Sequence, residues 1–338
     1  MKKHSFKNDY SEGAHPAILH RLIETNLVQT DGYSEDEFCN EARELIQKHL
    51  KKDAAIHFVS GGTQANLIVI SSILKPHESV ISAESGHIAV HETGAIEATG
   101  HKVNTIATDD GKIAPIQIAK TLQTHTDEHM VKPKLVYISN STEVGSVYTK
   151  KELQALYHFC KENNLYLFVD GARLASALTS PKCDLTLEDM ANLCDVFYIG
   201  GTKNGALIGE AIVINNLKLD EDFRYHIKQK GGMLAKGRLI GIQFFELFRD
   251  ELFFEMGRHA NQMAEKLANA ISAKGHKFLT EPSSNQIFPI LPNKIIEKLQ
   301  QDFEFYIWQK TDEKNSAIRL VTSWATTKES VTNFINQL

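Results

Sequence analysis

The sequence predicts an α/β protein with a mainly parallel sheet and a smaller α+β domain at its C-terminal end. From residue 54 to residue 214, short apolar runs alternate with amphipathic helix patterns, which is typical of a parallel sheet covered by helices. From residue 286 onwards, short strand patterns lie between helices instead. We therefore expect an N-terminal arm at 1–16, a large domain at 17–240 and a small C-terminal domain at 241–338.

Composition and charge favour a soluble globular protein, either an enzyme or a binding protein. The 338 residues carry a net charge of −5 and contain no long basic run, so a nucleic-acid surface is not indicated. The four cysteines lie far apart, as in a reduced protein. No apolar stretch approaches the roughly 20 residues of a membrane helix, and the first residues lack the apolar core of a signal peptide. We expect a cytoplasmic protein without a membrane partner.

The large domain is predicted to begin with two helices and then to alternate strands with helices. Apolar residues at helical spacing predict helices at 17–24 and 37–49 and further helices that start near 64 and 115 and at 149. Short apolar runs predict strands at 54–59, 80–83, 102–106, 134–139, 165–169, 196–199 and 211–214.

The C-terminal third is predicted to be mostly helical before its strands begin. Residues 220–257 are largely helical in pattern, and an amphipathic helix is expected at 258–274. Predicted strands at 286–291, 305–308 and 317–321 are interleaved with predicted helices at 294–303 and 328–337.

An acid, an arginine and a lysine follow two of the predicted buried strands directly. Asp170 and Arg173 follow the strand at 165–169, and Lys203 follows the strand at 196–199. In an open α/β sheet, ligands bind outside the carboxyl ends of the strands. Pyridoxal phosphate requires a lysine for its Schiff base and a carboxylate for its ring nitrogen. Asp170 and Lys203 together predict such a site, although a helix-capping acid and an ordinary loop lysine would also explain these two residues.

A second candidate element is the glycine-containing segment before the helix near residue 64. Gly62 and Thr63 lie where a helix offers unpaired N–H groups and a partial positive charge, and glycine lets a phosphate approach the backbone. The segment indicates a phosphate cradle, or equally a tight turn that requires glycine.

His87 is predicted to begin a helix just past the strand at 80–83, and His91 follows four residues, or one turn, later. Three interpretations stay open: a ring stacked on a cofactor, a metal pair with Glu92, or helix-capping and surface histidines. The HExxH pattern and a third ligand are absent, so we predict no metal.

Two further residues and one basic segment have both a functional and a structural explanation. Arg319 lies in an apolar strand, where its charge needs an anion such as a substrate carboxylate or an internal salt bridge. Tyr33, in a polar loop, is either a surface residue or part of a lid. The basic segment 228–238 is either a phosphate site or a solvated face.

Five segments in this order resemble the threonine aldolases: SGGTQANL, ESGHIAVHETGA, VDGARLASA, GGTKNG and IRLVTSW. These enzymes belong to the β-eliminating lyase group, depend on pyridoxal phosphate and have the aspartate aminotransferase fold. The resemblance runs from about residue 9 to the last helix. It implies an aldehyde-lyase that cleaves L-threonine or L-allo-threonine to glycine and acetaldehyde. β-Elimination on a small amino acid is the alternative, because cofactor residues do not decide the reaction type. A non-catalytic cofactor-binding protein is the third hypothesis.

The resemblance assigns roles to the cofactor residues. Lys203 would bind pyridoxal phosphate covalently, Asp170 would face its ring nitrogen, and His87 would stack on its ring. Gly62 and Thr63 would hold the phosphate. It also implies that the chain forms a homodimer or homotetramer.

The same resemblance assigns the substrate residues. Arg173 and Arg319 would bind the α-carboxylate of the amino acid, with Arg173 beside the cofactor as well. Asn8 lies where the family usually has serine, and its amide is expected to preserve that contact. Tyr33 matches a tyrosine of the site.

Two departures from the family pattern concern proton transfer and phosphate binding. Many members have a second histidine after the strand at 134–139, where this chain has Asn-Ser-Thr-Glu, ending at Glu143. The base at the β-hydroxyl is therefore His87, Glu143 or a water. The arginine that often follows a GGGM run is absent, and Lys236 or Arg238 would replace it.

Overall fold

The computed structural model describes residues 3–338, so the first two residues of the predicted arm lie outside the described residues. The strands are β1 (His4–Ser5), β2 (Ala55–Val59), β3 (Glu78–Ala83), β4 (Val103–Ile106), β5 (Lys132–Ser139), β6 (Tyr166–Asp170), β7 (Val196–Gly200), β8 (Glu210–Ile214), β9 (Gln286–Ile287), β10 (Ile290–Pro292), β11 (Phe303–Glu304), β12 (Tyr306–Lys310) and β13 (Asn315–Val321). The helices are α1 (Pro16–Glu24), α2 (Glu37–Leu50), α3 (Gly62–Ile73), α4 (His87–Val90), α5 (Pro115–Gln123), α6 (Lys150–Glu162), α7 (Leu174–Leu178), α8 (Leu187–Leu193), α9 (Phe223–Gln229), α10 (Arg238–Arg249), α11 (Leu252–Ala273), α12 (Asn293–Leu299) and α13 (Lys328–Gln337).

A seven-stranded sheet in the order β2-β8-β7-β6-β5-β3-β4 forms the centre of the molecule. Strand β8 is antiparallel to both of its neighbours, and the other pairs of the sheet are parallel. The predicted α/β fold with a mainly parallel sheet is confirmed. The carboxyl ends of β5, β6 and β7 therefore lie at one edge, where their following turns can meet.

Both faces of this sheet are covered by helices. On one face, α3 and α9 pack with the inward residues of the strands, and on the other face the cluster includes α2, α6, α8 and α10. Every residue of β3, β7 and β8 is buried, which explains why the apolar runs are continuous instead of alternating.

A second, smaller sheet lies in the C-terminal third of the chain. Strand β13 pairs antiparallel with β10, β12 and β9, and α11, α12 and α13 supply its apolar cluster. The N-terminal arm joins this region, because β1 pairs parallel with β11 and the Phe6 ring is fully buried in the same cluster. Helix α10 packs against α2. The boundary predicted at residue 240 stays a prediction.

Some predicted elements differ from the structure, and two short helices were not predicted. The helix expected from His87 through His91 ends at Val90 after one turn, and Thr93 and Gly94 then adopt left-handed φ angles of 53° and 71°. The strand expected at 286–291 is two short strands, β9 and β10. Helices α7 and α8 were not predicted, because elements of only five and seven residues show too little of the helical period. Within residues 3–338, no helix combines the length and apolarity needed to cross a bilayer.

Candidate active site

Lys203 lies in the turn that follows β7. The N–H groups of Gly201 and Thr202 both bond to the carbonyl of Gly209, which folds the turn back on the start of β8. Burial and the positive charge of Arg173 lower the pKa of Lys203, against the opposing charges of Asp9, Asp170 and Glu210. A lowered pKa increases the fraction of neutral amine at neutral pH, and the neutral amine is the nucleophilic form.

Asp170 is the last residue of β6 and its side chain is buried. Its Oδ1 accepts hydrogen bonds from the Tyr198 hydroxyl at 2.5 Å and from the Ala172 N–H at 2.9 Å. Its Oδ2 accepts from the Tyr137 hydroxyl at 2.5 Å and from the Asn66 amide at 3.1 Å. Burial alone would raise the pKa of Asp170, but the hydrogen bonds from the two tyrosines and the charge of His87 outweigh it, and the net shift is downward. The carboxylate is therefore ionised at neutral pH.

A chain of hydrogen bonds connects Asp170 to His87. The Asn66 amide donates to both Asp170 and Glu92 Oε1, the latter at 2.7 Å. His87 Nδ1 lies 2.7 Å from the same Glu92 oxygen, and the Glu92 side chain is fully buried. A carboxylate on one ring nitrogen fixes the orientation of an imidazole. Glu92 thus sets the direction in which His87 presents its other nitrogen.

Glu143 lies beside His87 at the end of β5. Its Oε1 accepts from the Ser139 hydroxyl at 2.7 Å and from the backbone N–H of His87 at 3.0 Å. Burial raises the pKa of Glu143, and the charge of Asp170 adds to this effect. A carboxyl group with a raised pKa is a stronger base when ionised and a proton donor when neutral.

Arg173 forms a buried ion pair with the N-terminal arm. Its Nε and Nη2 donate to Asp9 Oδ2 and Oδ1 at 2.7 and 3.0 Å, and the Asn285 amide donates to Asp9 Oδ2 at 2.9 Å. Asp9 is 1% exposed, and its pKa is lowered because the Arg173 charge and these hydrogen bonds outweigh burial. The arm therefore holds one predicted carboxylate-binding residue in place.

Arg319 lies in β13 with its guanidinium 5.7 Å from the centre of the Trp308 ring. Within residues 3–338 it forms no salt bridge, and its buried Nε has no hydrogen-bond partner. Burial and the nearby charge of Arg173 lower its pKa to about 10, so it is still charged at neutral pH. A buried cation without a partner is costly, and an incoming anion would relieve that cost.

Gly62 and Thr63 are the first two residues of α3, which starts two residues earlier than predicted. The first bond into the helix comes from Ala65, and the N–H groups of Gly62, Thr63 and Gln64 have no acceptor among the described residues. A Cβ on Gly62 would stand 2.9 Å from the Tyr198 hydroxyl oxygen. Glycine is therefore required here by a close approach between the helix start and the Asp170 network.

Three predicted residues have contacts elsewhere. Asn8 Oδ1 caps its own turn by accepting from the Tyr10 N–H and the Ser11 hydroxyl. Tyr33 is 44% exposed, and its ring centre lies 4.6 Å from the Lys228 ammonium. The Arg238 guanidinium donates to the carbonyls of Thr25 and Val28, whereas the Lys236 ammonium has no hydrogen bond to any of residues 3–338.

Sequence reasoning missed three residues of the network around Asp170, namely Asn66, Tyr137 and Tyr198, and it considered Glu92 only as a metal ligand. The two tyrosines carry a recognisable signal, because a phenol in an otherwise apolar buried strand needs a partner for its hydroxyl. Asn66 and Glu92 come from α3 and the turn after α4. Their meeting depends on how these elements pack, and local patterns do not encode it.

Comparison with known proteins relates the whole chain to one family. The family model described as beta-eliminating lyase matches residues 9–293. A low specificity L-threonine aldolase from Pseudomonas sp. (strain NCIMB 10558) is 32% identical over 330 residues, which cover 96% of this chain and 94% of that protein. The structure of a threonine aldolase from Leishmania major has a TM-score of 0.97 and 50% identity, with 98% of both chains covered. An aspartate aminotransferase from Thermus thermophilus, at 15% identity, 99% and 90% coverage and a TM-score of 0.73, shares the fold. The chain belongs to the beta-eliminating lyase family and, within it, to the threonine aldolases.

Proposed function

We propose that the chain is a pyridoxal-phosphate-dependent aldehyde-lyase that cleaves L-threonine or L-allo-threonine to glycine and acetaldehyde. One observation carries the proposal: Lys203 and the ionised, buried Asp170 lie at the carboxyl ends of adjacent strands, and Arg319, which has no carboxylate partner within residues 3–338, lies close enough to Arg173 for that charge to lower its pKa. A lysine, a carboxylate and a free guanidinium are what the cofactor and an amino acid substrate require.

The side chains of the site fit the cofactor. Lys203 would hold its aldehyde carbon, Asp170 its ring nitrogen, and the unpaired N–H groups at the start of α3 its phosphate, beside Gly62. The orphaned N–H groups and the space that a Cβ would fill support this fit. When bound, pyridoxal phosphate supplies an electron sink for the bond that breaks at the substrate's α-carbon.

The two arginines would orient the amino acid through its carboxylate. Arg319 offers a guanidinium with an unpaired Nε, and Arg173 is held rigidly by Asp9 and so keeps its remaining nitrogen in a fixed direction. Holding the carboxylate at two points selects which bond at the α-carbon lies perpendicular to the ring plane, and this geometry decides the reaction.

Proton transfer at the β-hydroxyl is assigned to His87 or Glu143. Glu92 orients His87, and Ser139 orients Glu143, so each group is positioned by a 2.7 Å hydrogen bond. Deprotonation of the β-hydroxyl lets it collapse to the aldehyde as the carbon–carbon bond breaks, and a returned proton completes glycine.

The test is a product assay with purified protein, pyridoxal phosphate and L-threonine. Glycine and acetaldehyde in equal amounts are expected, whereas ammonia and a keto acid would indicate the β-elimination alternative. The Lys203→Ala variant should lose turnover by several orders of magnitude. The exposed Lys218 provides a matched control, and Lys218→Ala should retain full turnover. Full activity of the Lys203→Ala variant would refute the proposal.

We also propose that the chain acts as a homodimer or homotetramer. Helix α1 and the loop after it expose apolar side chains, with Ile23 75% and Leu27 92% accessible, and a second copy would cover them. The cytoplasmic location and the division into an arm and two domains stay predictions.

A further inference from the structure

We propose that Tyr137 and Tyr198 are positioning residues that keep the proton shared between Asp170 and the cofactor's ring nitrogen on the ring. The proposal rests on the proposed function, since it requires bound pyridoxal phosphate. It extends that function because neither tyrosine belongs to the residues that would touch cofactor or substrate in the arrangement above.

Each tyrosine donates to a different oxygen of Asp170. The Tyr198 hydroxyl bonds to Oδ1 and the Tyr137 hydroxyl to Oδ2, both at 2.5 Å. Such a length is typical of a hydroxyl on an ionised carboxylate, and these bonds are about twice as strong as neutral ones. Both phenols are buried, and burial together with the Asp170 charge raises their pKa values well above the ordinary range. Both hydroxyls therefore keep their protons and act as donors at neutral pH.

The sheet fixes the positions of Tyr137 and Tyr198, which together we call the tyrosine clamp of Asp170. Tyr137 lies two residues before Ser139, the partner of Asp170 in the β5–β6 register, so its side chain projects from the same face. Tyr198 lies two residues after Val196, which pairs with Phe168 in the β6–β7 register, and this places Tyr198 beside Asp170. Asp170 is thus flanked by a tyrosine on each neighbouring strand.

Tyr198 also meets the start of α3. Its hydroxyl oxygen lies 2.9 Å from the position of a Cβ on Gly62, so the absence of a side chain at residue 62 is what lets this phenol reach Asp170. The same residue that opens the helix start to a phosphate also makes room for the clamp. The Tyr198 hydroxyl therefore lies between the proposed phosphate site at Gly62 and the proposed partner of the ring nitrogen, Asp170.

The clamp decides where a shared proton resides. A buried carboxylate without donors is a strong base, because burial disfavours its charged form, and it would take the proton from a pyridinium. Two short hydroxyl bonds stabilise the anion and weaken its basicity, so the proton stays on the ring. A protonated ring accepts electrons from the substrate, and a neutral ring does so much less well.

Asp170 can still accept the ring N–H. Its two oxygens already receive four hydrogen bonds, of which the bond from Asn66, at 3.1 Å, is the longest. That amide is shared with Glu92, so Asn66 retains a partner when the ring nitrogen takes its place. The bonds from Tyr137 and Tyr198 to Asp170 would remain when the ring nitrogen is bound.

The proposal is tested by the nitrogen-15 chemical shift of the ring in protein loaded with ¹⁵N-labelled pyridoxal phosphate. We expect a protonated ring in the natural chain, a shift toward the unprotonated value in Tyr137→Phe and in Tyr198→Phe, and a larger shift in the double variant. Tyr148→Phe is the matched control, because Tyr148 is equally buried but its hydroxyl accepts from the Ile113 N–H. It should leave the ring protonated.

The outcomes separate this inference from the proposed function. A ring that is equally protonated in both tyrosine variants, or unprotonated in the natural chain, would overturn the inference while aldolase activity stands. Failure of the natural chain to bind pyridoxal phosphate would overturn both. If a phenylalanine variant does not fold, the natural chain with fluorotyrosine keeps every hydroxyl and makes each a stronger donor. The stronger donors should keep the shared proton on the ring, and a nitrogen-15 shift toward the unprotonated value would overturn the inference.

Discussion

The buried ion pair between Asp9 and Arg173 should be the main electrostatic anchor of the N-terminal arm. Asp9 accepts three hydrogen bonds, two from Arg173 and one from Asn285, and is almost fully buried. Replacing Asp9 with Asn leaves the Arg173 charge buried without its counterion. Breaking a buried pair in this way costs about 3–5 kcal/mol. We expect the Asp9→Asn variant to lose this much free energy of unfolding, measured by urea denaturation of the cofactor-free protein.

A matched control lies on the same arm. Lys7 and Glu304 form an ion pair at 3.0 Å, but their side chains are 37% and 43% exposed. Solvent screens such pairs, so Glu304→Gln should cost less than about 1 kcal/mol. If Asp9→Asn costs no more than Glu304→Gln, the reasoning that burial makes the Asp9 pair strong is refuted.

The pH dependence of the same variant gives a second check. The pKa of Asp9 is lower in the folded protein than in the unfolded chain, so its stabilising contribution is complete above the unfolded value of about 4. That contribution is lost as the pH falls through the folded-state pKa. The stability difference between the natural chain and Asp9→Asn should therefore be constant from pH 6 to pH 8 and should shrink below about pH 4. A difference that grows at acid pH would contradict this sign.

Three further predictions concern the site itself. Gly62→Ala places a Cβ against the Tyr198 hydroxyl and should weaken pyridoxal phosphate binding roughly tenfold, as measured by titration. Gly61→Ala is the control and should bind normally, because its Cβ meets no atom within 4 Å and the position needs no left-handed φ. Equal affinities of the two variants would contradict the close-approach argument. Arg319→Met should raise KM for threonine by roughly tenfold or more with a smaller change in kcat, and an unchanged KM would exclude Arg319 as a carboxylate ligand. Burial raises the pKa of Glu210 to about 8, above its unfolded value of about 4.3, so the folded state binds more protons between these pH values. The free energy of unfolding should therefore fall as the pH rises from about 4.3 to about 8. In urea unfolding, Glu210→Gln should flatten the pH dependence over this range, and an unchanged slope would contradict the prediction.

Much of the fold and the centre of the candidate site follow from local sequence patterns. Buried parallel strands read as continuous apolar runs, and residues just after them must lie at one sheet edge. This is why Asp170 and Lys203 could be placed together from their positions after two such runs. Gly62 and Thr63 could be placed at the start of a helix for a similar reason.

The partners of the site residues could not be predicted, because they come either from distant parts of the chain or from turns whose course the local pattern does not give. Asp9 and Arg173 are 164 residues apart in sequence, and their pairing depends on the arm crossing to α7. Glu92 reaches His87 because α4 ends after a single turn, where the helical pattern suggested a longer helix. Such contacts are set by tertiary packing, which periodicity and spacing do not report.

The most direct test of the central claim is to locate the lysine that holds the cofactor. The protein is loaded with pyridoxal phosphate, the linkage is reduced with borohydride, and the modified peptide is identified by mass spectrometry. We predict a single modification, at Lys203. Incubation with excess competing amine before the reduction should prevent it, and the Lys203→Ala variant should lack it. Modification at another lysine, with Lys203 unmodified, would contradict the site described for this chain.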